Sequence, residues 1–582
     1  MSKLPVNELI SRFQEIVGKR YTLTSAAKTA PYCKGFRLGS GSAVAVARPG
    51  TLLEIWKLLE VCVAADVIVI MQAANTGLTG GSTPDGNSYD RPVVVISTMR
   101  ISEIQIIDQG KQIIGLAGST LFGLEDQLKP FGREPHSVIG SSCIGASIVG
   151  GVCNNSGGAL VHRGPAYTEL AIYAQVNAEG QLQLVNNLGI KLGDTPEEML
   201  TNLHNGRYQE DDVEFPNKLA SDNQYHERVR EIDADTPSRF NADPRRLHES
   251  SGCAGKLAVF AVRLDTFPIA EKQCTYYVGT NDSTVMTQIR RDMLSTFKNL
   301  PISGEYLHRD CYDACKKYGK DSFVVIDKLG AKYMPKLFSM KRSIDSMAEK
   351  IPFLPSKFSD RMLQFMSKFM PNHLPKRMED FRDKYEHHWI IETSNDCVDE
   401  AREYLESFFQ HNDNEGDFFA CTERESDQAI LHRFVAGGAI GRKLIMEKES
   451  AKLGSIMTID VAFPRNEREW VENLPAEIED HLAVKLYYGH FFCHVMHQNY
   501  IMKEGSDAKA VKQKILKTYD ERGAEYPAEH NVGNEYVAKQ SLRNFYKQID
   551  PTNSFNAGIG KTSKLKHYAG QDDGPSCGCS HH

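Results

Sequence analysis

The sequence predicts an α+β protein, and three observations predict it. Strand and helix patterns alternate over the first 160 residues, strand character returns at Lys256–Asp265, and beyond Phe267 β segments alternate with amphipathic helices, the mark of a second domain. In the first part, Ala43–Ala47 reads as a short strand and Pro49-Gly50 as a turn, after which Leu52, Ile55, Leu59 and Cys62 recur at helical spacing. Val67–Met71 reads as a buried strand running into Ala73-Ala74-Asn75-Thr76-Gly77, and Val93–Ser97 and Ile104–Asp108 follow as strands. Asp194–Asp235, with 12 acids against 4 bases, is expected to be a solvated excursion between core elements. The polar tail after Lys561, with Cys577, Cys579 and a terminal histidine pair, is expected to be disordered. No internal repeat is apparent.

Composition narrows the class. The chain has 582 residues, 41% of them apolar and 25% charged, which suits a folded protein of several domains. No run of 18 apolar residues occurs, and the first twenty residues carry charge throughout, so neither a membrane-spanning helix nor a secretory leader is expected. Thirteen scattered cysteines suit a reducing compartment. The net charge of −7 argues against a nucleic-acid partner. That average hides an asymmetry: Lys328–His388 holds 13 Lys+Arg against 7 Asp+Glu, a local +6 that leaves −13 for the rest.

Two segments are rich in small residues: Gln72–Pro84 (QAANTGLTGGSTP) and Gly140–Gly158 (GSSCIGASIVGGVCNNSGG), the second with six glycines. Such loops let backbone amides approach a ligand and form concave nests for an anion such as a diphosphate. The usual dinucleotide fingerprint is missing. Gly39-Ser40-Gly41 has Val44 at the third glycine position, and Gly558-Ile559-Gly560-Lys561-Thr562 lacks a P-loop's first glycine, which would fall at Phe555. Two such segments within 90 residues, each after a strand, favour phosphate binding over ordinary tight packing.

These loops resemble the paired diphosphate loops of the flavoprotein superfamily typified by vanillyl-alcohol oxidase, the PCMH-type fold. Pro49–Glu54 (PGTLLE) matches the opening of its first subdomain, and Gly150–Gly158 fits its G-G-x-x-x-N-x-G-G run. Nearly the whole chain is similar to the bacterial quinone-dependent D-lactate dehydrogenase family. The runs that carry this are Gly132–Ser147 (GREPHSVIGSSCIGAS), Asp383–His388 (DKYEHH), Lys485–Tyr500 (KLYYGHFFCHVMHQNY), Tyr526–Gly533 (YPAEHNVG) and Asp550–Lys564 (DPTNSFNAGIGKTSK). The resemblance implies FAD stretched between two small α/β subdomains. Its expected contacts are Ala73, Ala74, Asn75, Thr76, Gly77, Gly81, Ser82, Gly140, Ser147, Gly157 and Val259. Some superfamily members tether FAD through a histidine near the first loop; Gly80-Gly81-Ser82 has none nearby, so non-covalent FAD is expected.

Oxidation of a 2-hydroxy acid removes an O–H proton and a Cα hydride, so the protein must supply a base and a cation for the carboxylate. Histidine suits the base. His530 stands in Glu529-His530-Asn531, and His490 and His497 lie seven apart with His494 between them. On a helix that interval would put both on one face; within one strand they would face opposite sides. Packed core histidines are the competing reading. Related 2-hydroxyacid dehydrogenases share the G-H…H interval and the later Glu-His pair. The resemblance implies that His490, His497 and Glu529 hold a divalent metal and that His530 is the base. One departure is that Phe492-Cys493-His494-Val495 replaces the relatives' Gly-Asp-Gly-Asn, so the metal is a candidate and not an established ligand. Arg433 matches the relatives' carboxylate-binding arginine, whose fork pairs naturally with a carboxylate. Their downstream lysine falls at Thr458, two before Asp460, which fits a substrate without a second carboxylate.

The basic stretch holds seven of the 17 methionines and eight Phe/Tyr. Between Ser356 and Met370 the pattern is helical. At about 100° per residue Lys357, Arg361 and Lys368 fall within roughly 0–40°, and Phe358, Met362, Phe365 and Phe369 within roughly 80–140°. Cations flanking a bulky apolar face suit an anionic phospholipid surface. The alternative is a helix packed on its own protein or on a protein partner. The opposite sign of the segment's charge favours the membrane, as does the resemblance, which implies docking on the cytoplasmic face of the bacterial inner membrane.

The expected organisation is a two-subdomain FAD-binding domain at 1–266 completed by 521–582, a cap domain of antiparallel sheet and helices at 267–310 and 388–520, and a basic helical membrane-binding segment at 311–387. The expected activity is oxidation of D-lactate to pyruvate with hydride transfer to FAD and electrons passed to membrane quinone. A D-2-hydroxyglutarate or glycolate dehydrogenase, or a non-catalytic flavin-containing membrane-associated binding protein, stand as alternatives.

Overall fold

Thr51 ends an extended turn, and its side chain accepts from Glu54 N while Glu54 Oε2 accepts from Gly50 N at 2.6 Å; this reciprocal cap starts the Leu52–Ala65 helix. Leu52, Ile55, Leu58, Leu59 and Cys62 are fully buried on its inner face. In the computed structural model, which describes residues 4–570 apart from 137–144, 216, 331–332, 352 and 411–414, this helix packs on a four-stranded sheet. Its strands are β1 (Thr22–Leu23), β2 (Ala45–Ala47), β3 (Ile68–Gln72) and β4 (Val93–Ser97), in the order β1-β2-β4-β3 with β2, β4 and β3 parallel. A second, antiparallel sheet is built from β5 (Ile104–Ile107), β6 (Gln112–Leu116), β8 (Ala171–Val176), β9 (Leu182–Asn186) and β10 (Ala258–Pro268), with β7 (Arg133–Pro135) pairing the end of β10.

The acidic excursion is anchored more firmly than its composition suggests. Thr195 caps the Pro196–His204 helix in a capping box. Asp222 is buried and takes two hydrogen bonds of 2.6 Å from Arg246, so the second half of the stretch carries an internal ion pair instead of lying in solvent. The chain also returns to the first sheet after residue 549. Val69 N donates to Ser554 O and Asn556 N to Val69 O, which lays Phe555 beside β3 in the core. Residues 562–570 correct the expectation of disorder after Lys561. Asn553 Nδ2 donates to Ser563 O and Leu565 O, Lys566 pairs with Asp66 at 3.0 Å, and Tyr568 is buried. The cysteine and histidine cluster of the tail lies outside the described residues.

The third sheet has seven antiparallel strands in the order β14-β11-β13-β12-β16-β17-β15. They are β11 (Gln273–Thr280), β12 (Ser303–His308), β13 (His387–Ser394), β14 (Asp417–Ala420), β15 (Leu453–Ala462), β16 (Leu482–His490) and β17 (Val495–Lys503). Between β12 and β13 the chain forms helices at Arg309–Tyr318, Lys320–Leu329, Met334–Ala348, Phe358–Ser367 and Lys376–Lys384. The Phe358–Ser367 helix is amphipathic in the reverse sense for a helix packed on a core. Its buried residues are Ser359, Asp360, Gln364 and Ser367, while Phe365 is 60% exposed and Phe369, just beyond it, 77%. Phe353 is 85% exposed, and Met340, Met347 and Met366 are exposed as well. Polar groups face the protein because Arg442 and Lys341 pair with Asp360, with the Arg442 Nε bond at 2.7 Å. The reading in which this helix packs its apolar face on its own protein therefore fails. Among the described residues no helix is long and apolar enough to cross a membrane.

Candidate active site

The loop after β3 and the segment from Ser147 to Gly158 face each other across one cavity of about 2320 Å³. Ala73, Ala74, Asn75, Thr76, Gly77, Gly81, Ser82, Ser147, Gly157 and Val259 all line it; Gly140 lies outside the described residues. Asn75 adopts a left-handed φ of 52°, held by its Nδ2 bond to Lys34 O and by Ser82 Oγ donating to its Oδ1. The glycines serve two different ends. A Cβ added to Gly77 would meet nothing within 4 Å, so this stretch offers bare backbone to an occupant. A Cβ on Gly157 would instead stand 2.6 Å from Arg239 Nη1 and 3.0 Å from Glu529 Oε1, and one on Gly81 2.5 Å from Asn531 Oδ1. These two let the loops close onto polar side chains. A small-residue cradle of this size fits a dinucleotide cofactor, since ordinary ligand pockets hold only about 300–1,000 Å³.

The reacting end is laid out by sheet register. His490 ends β16 and His497 sits on β17, so they belong to neither one helix nor one strand but to the two arms of a hairpin. His490 pairs with Val495 and Tyr488 with His497; the two histidines are therefore diagonal neighbours on one face, with ring centroids 5.2 Å apart. The departure at Phe492-Cys493-His494-Val495 includes the hairpin turn: Phe491, Phe492 and Cys493 are fully buried, and His494, with φ 54°, takes a packed position against Pro464 O. On the flanking strands, Glu305 is the register partner of His490 and Asp460 that of His497. Four adjacent strands thus carry the row Glu305, His490, His497, Asp460.

The Glu529-His530 turn closes over this row. Glu529 N donates to Asp460 Oδ2 at 2.7 Å, and Arg239 Nη2 donates to Glu529 Oε1 at 2.6 Å. Glu529 lies 3.3 Å from His490 Nε2 and 3.6 Å from His497 Nε2. Each histidine has a carboxylate behind it: Glu305 Oε1 is 2.6 Å from His490 Nδ1, and Asp460 Oδ1 is 3.4 Å from His497 Nδ1. Glu305 Oε2 lies 2.8 Å from Arg433 Nη2, Arg433 Nε has no hydrogen-bond partner, and the guanidinium stacks 4.4 Å from the Tyr488 ring. His530, the most exposed of the cluster, has Nε2 3.8 Å from Asp460 Oδ2.

Charge is balanced tightly here. Burial works against protonation of His490, but Glu305 and Glu529 outweigh it and push its pKa up to about 10. Burial likewise opposes ionisation of Glu529, yet His490 and Arg239 hold its carboxyl well below the usual range. Glu305 is lowered too: burial raises it, and Arg433 and His490 overcome that. His490, His497 and Glu529 offer ligand atoms within 4.8 Å of one another. With a carboxylate behind each imidazole, they also match the pattern of metal-ligating histidines.

All five residues expected at the reacting end, Arg433, His490, His497, Glu529 and His530, line the same cavity as the loops. Glu305, Asp460 and Arg239 were not singled out from the sequence as site residues, because cross-strand register and a contact spanning 290 positions place them, and neither leaves a local motif. Lys512 was also missed. Its Nζ reaches Thr458 O at 3.4 Å from the Ala508–Glu521 helix, bringing an ammonium to the position where the relatives' lysine was sought, but there it is paired with Glu535.

Comparisons with known proteins agree with this geometry. A family model described as "D-lactate dehydrogenase, membrane binding" matches residues 275–568, and one described as "FAD binding domain" matches 43–185. The chain is 57% identical to a quinone-dependent D-lactate dehydrogenase of Haemophilus influenzae, covering 97% of this chain and 100% of that protein. It is 54% identical to one of Escherichia coli, over 96% of this chain and 97% of the relative. Among solved structures, p-cresol methylhydroxylase with substrate bound superposes with a TM-score of 0.57 at 11% identity, covering 96% of this chain and 97% of that one. Alkyldihydroxyacetonephosphate synthase gives 0.59 at 10% identity, covering 96% and 86%. The latter two share the PCMH-type fold. With near full-length identity above one half and the loops and row described above, the chain belongs to the quinone-dependent D-lactate dehydrogenase family.

Proposed function

We propose that this protein is a respiratory flavoenzyme that oxidises D-lactate to pyruvate and passes the electrons to a membrane quinone. The observation that carries the reading is the meeting, in one cavity, of the FAD-binding loops with a base, a carboxylate-binding cation and a buried acid–histidine row. Bound FAD supplies the hydride acceptor. The loop residues 73–77, 81 and 82, with Ser147, Gly157 and Val259, hold it. Arg433 receives the lactate carboxylate through donors that Glu305 leaves open, and Glu305 fixes the fork's orientation. His490, oriented by Glu305 through Nδ1, turns Nε2 towards Glu529 and the reacting end, as a ligand of the cation considered next or, without one, as a donor to the substrate's oxygens. His530 takes the hydroxyl proton, and Asp460 nearby stabilises the imidazolium that forms.

His490, His497 and Glu529 fit a divalent cation, which would polarise the lactate hydroxyl as a Lewis acid. Metal analysis of the purified flavoprotein tests this: about one equivalent of a borderline ion such as zinc is expected, and a metal-free active protein overturns it.

Substrate size follows from Lys512. Glu535 takes up the Lys512 ammonium, whereas the Arg433 fork keeps further N–H donors beside its bond to Glu305, which supports a substrate with one carboxylate, D-lactate over D-2-hydroxyglutarate. Anaerobic addition of D-lactate should bleach the oxidised flavin band. No bleaching would favour a binding protein, and faster bleaching by D-2-hydroxyglutarate or glycolate would replace the substrate.

The reversed helix and its neighbours are the membrane-facing surface in this reading. Their exposed Phe and Met side chains enter the headgroup boundary, and cations such as Lys357 and Lys368 meet anionic phospholipid. In this reading that surface docks on the cytoplasmic face of the inner membrane, with residues 311–387 as the docking segment between the two parts of the cap; the quinone acceptor supports the membrane and the charge pattern supports an anionic surface. Vesicle flotation with and without anionic lipid tests this.

A further inference from the structure

The cavity is larger than a cofactor and a three-carbon acid require. Beyond Tyr488 it continues past Gly437, whose added Cβ would stand 3.8 Å from the Tyr488 hydroxyl, and runs between the Ala436–Glu447 helix and the helices of the membrane-facing segment. Its apolar lining is Ile326 and Met334 from the membrane-facing helices and Ile430, Phe434, Ile440 and Ile445 from the helices opposite, with Ser322, Lys341, Asp360 and Arg442 as its polar groups. Its floor is bare at Gly438 and Gly441, where an added Cβ would meet nothing within 4 Å. Arg37 Nη2 donates to Gly437 O at 3.2 Å and pins the inner end of that helix. The helices that supply Ile326 and Met334 also present Leu329 and Met340 to the outside, so one pair of helices lines the passage within and the exposed apolar surface without. Arg442 lies on the same wall, is 7% exposed and is held by Asp321 and Asp360, and its Nη1 has no hydrogen-bond partner.

We propose that this passage is the quinone site: a benzoquinone or naphthoquinone ring enters from the membrane between the Lys320–Leu329 and Ala436–Glu447 helices. The ring rests over Gly438 and Gly441 with its apolar tail trailing towards Leu329, and Arg442 Nη1 supplies a donor for a ring carbonyl. A largely apolar passage with a few convergent polar groups, Arg442 among them, suits such a ligand. The stoichiometry closes without another reagent. D-lactate gives up its C2 hydrogen with the bonding electron pair and its hydroxyl proton to become pyruvate, and the quinone takes up two electrons and two protons to become hydroquinone.

This inference rests on the quinone-reducing reading above, and the test separates the two. The full-length flavoprotein in detergent is assayed with D-lactate and either decyl-ubiquinone or dichlorophenolindophenol, so membrane docking plays no part. In Gly441→Phe and Ile326→Phe, decyl-ubiquinone turnover should fall at least tenfold relative to dye turnover, with lactate bleaching of the flavin retained. In the unmodified protein, a photoreactive short-chain azidoquinone should label peptides within 322–334 and 430–445. Equal loss of quinone and dye turnover, no loss of either, or label confined elsewhere would overturn the passage. Absence of lactate bleaching in the unmodified protein would instead overturn the parent reading.

Discussion

Replacing Phe353, Phe365 and Phe369 together by serine removes the three most exposed aromatic rings among the described side chains of the membrane-facing segment. They are 85%, 60% and 77% exposed, so together they present about two whole phenylalanine side chains to water. Full burial of such a side chain is worth about 1.5–3 kcal/mol, so moving these surfaces into the headgroup boundary contributes about 3–6 kcal/mol. That is two to four powers of ten in the membrane partition coefficient. Flotation with vesicles of mixed neutral and anionic lipid measures it directly. The triple variant should stay largely with the soluble fraction and still bleach its flavin with D-lactate, because none of the three rings lines the cavity. The partition should recover little when salt is lowered, since the lost contribution is apolar and not coulombic. A partition within threefold of the parent would refute the argument that the outward apolar face does the anchoring.

Glu305→Gln leaves a side chain of the same shape but removes the charge that faces both Arg433 and His490. Loss of about 2–3 kcal/mol from such a buried pair predicts a roughly 30- to 150-fold fall in kcat/KM for D-lactate, with FAD content unchanged. Gly157→Ala places a methyl 2.6 Å from Arg239 Nη1 and should displace Glu529. The expected result is retained flavin absorbance with slow or absent lactate bleaching, and normal bleaching would show that the loop can give way. Burial resists ionisation of Glu447, but Lys443 and Tyr318 lower its pKa from 4.5 to about 2. A lowered carboxylate contributes stability that is full above the unfolded value and lost as pH falls through the folded one. Thermal melts should therefore show a drop between about pH 4.5 and 2 that is shallower in Glu447→Gln.

Much of the site was legible because its parts sit in local runs. The β3 loop and the Ser147–Gly158 segment are short stretches of small residues following buried strands, and the Glu529-His530 pair and the His490–His497 interval survive as motifs. The geometry of that interval was not legible. Seven residues suggested a helix face or opposed strand faces, whereas buried Phe491, Phe492 and Cys493 next to the left-handed His494 turn the chain and make the two histidines diagonal neighbours. Glu305 and Asp460 were invisible for the same reason: register between separate strands, and not any local motif, pairs them with histidines, Glu305 across 185 positions. The 358–367 helix was legible in its two faces and in the outward direction of the apolar one, but not in what holds it, because the buried partner of Asp360 is Arg442 on a distant helix.

The strand-like return of residues 553–556 beside β3 has a consequence for how the protein is made. Phe555 completes the core between the first sheet and the Leu52–Ala65 helix, and buried Asp550 faces buried Lys256 at 3.6 Å. A chain emerging from the ribosome has therefore threaded more than 480 residues past β3 before its nucleotide-binding half can be finished. Domains of most proteins mature in the order of their synthesis; here the half built on β3 must wait for a segment more than 480 residues downstream. A nascent chain stalled short of residue 550 would then be unable to retain flavin.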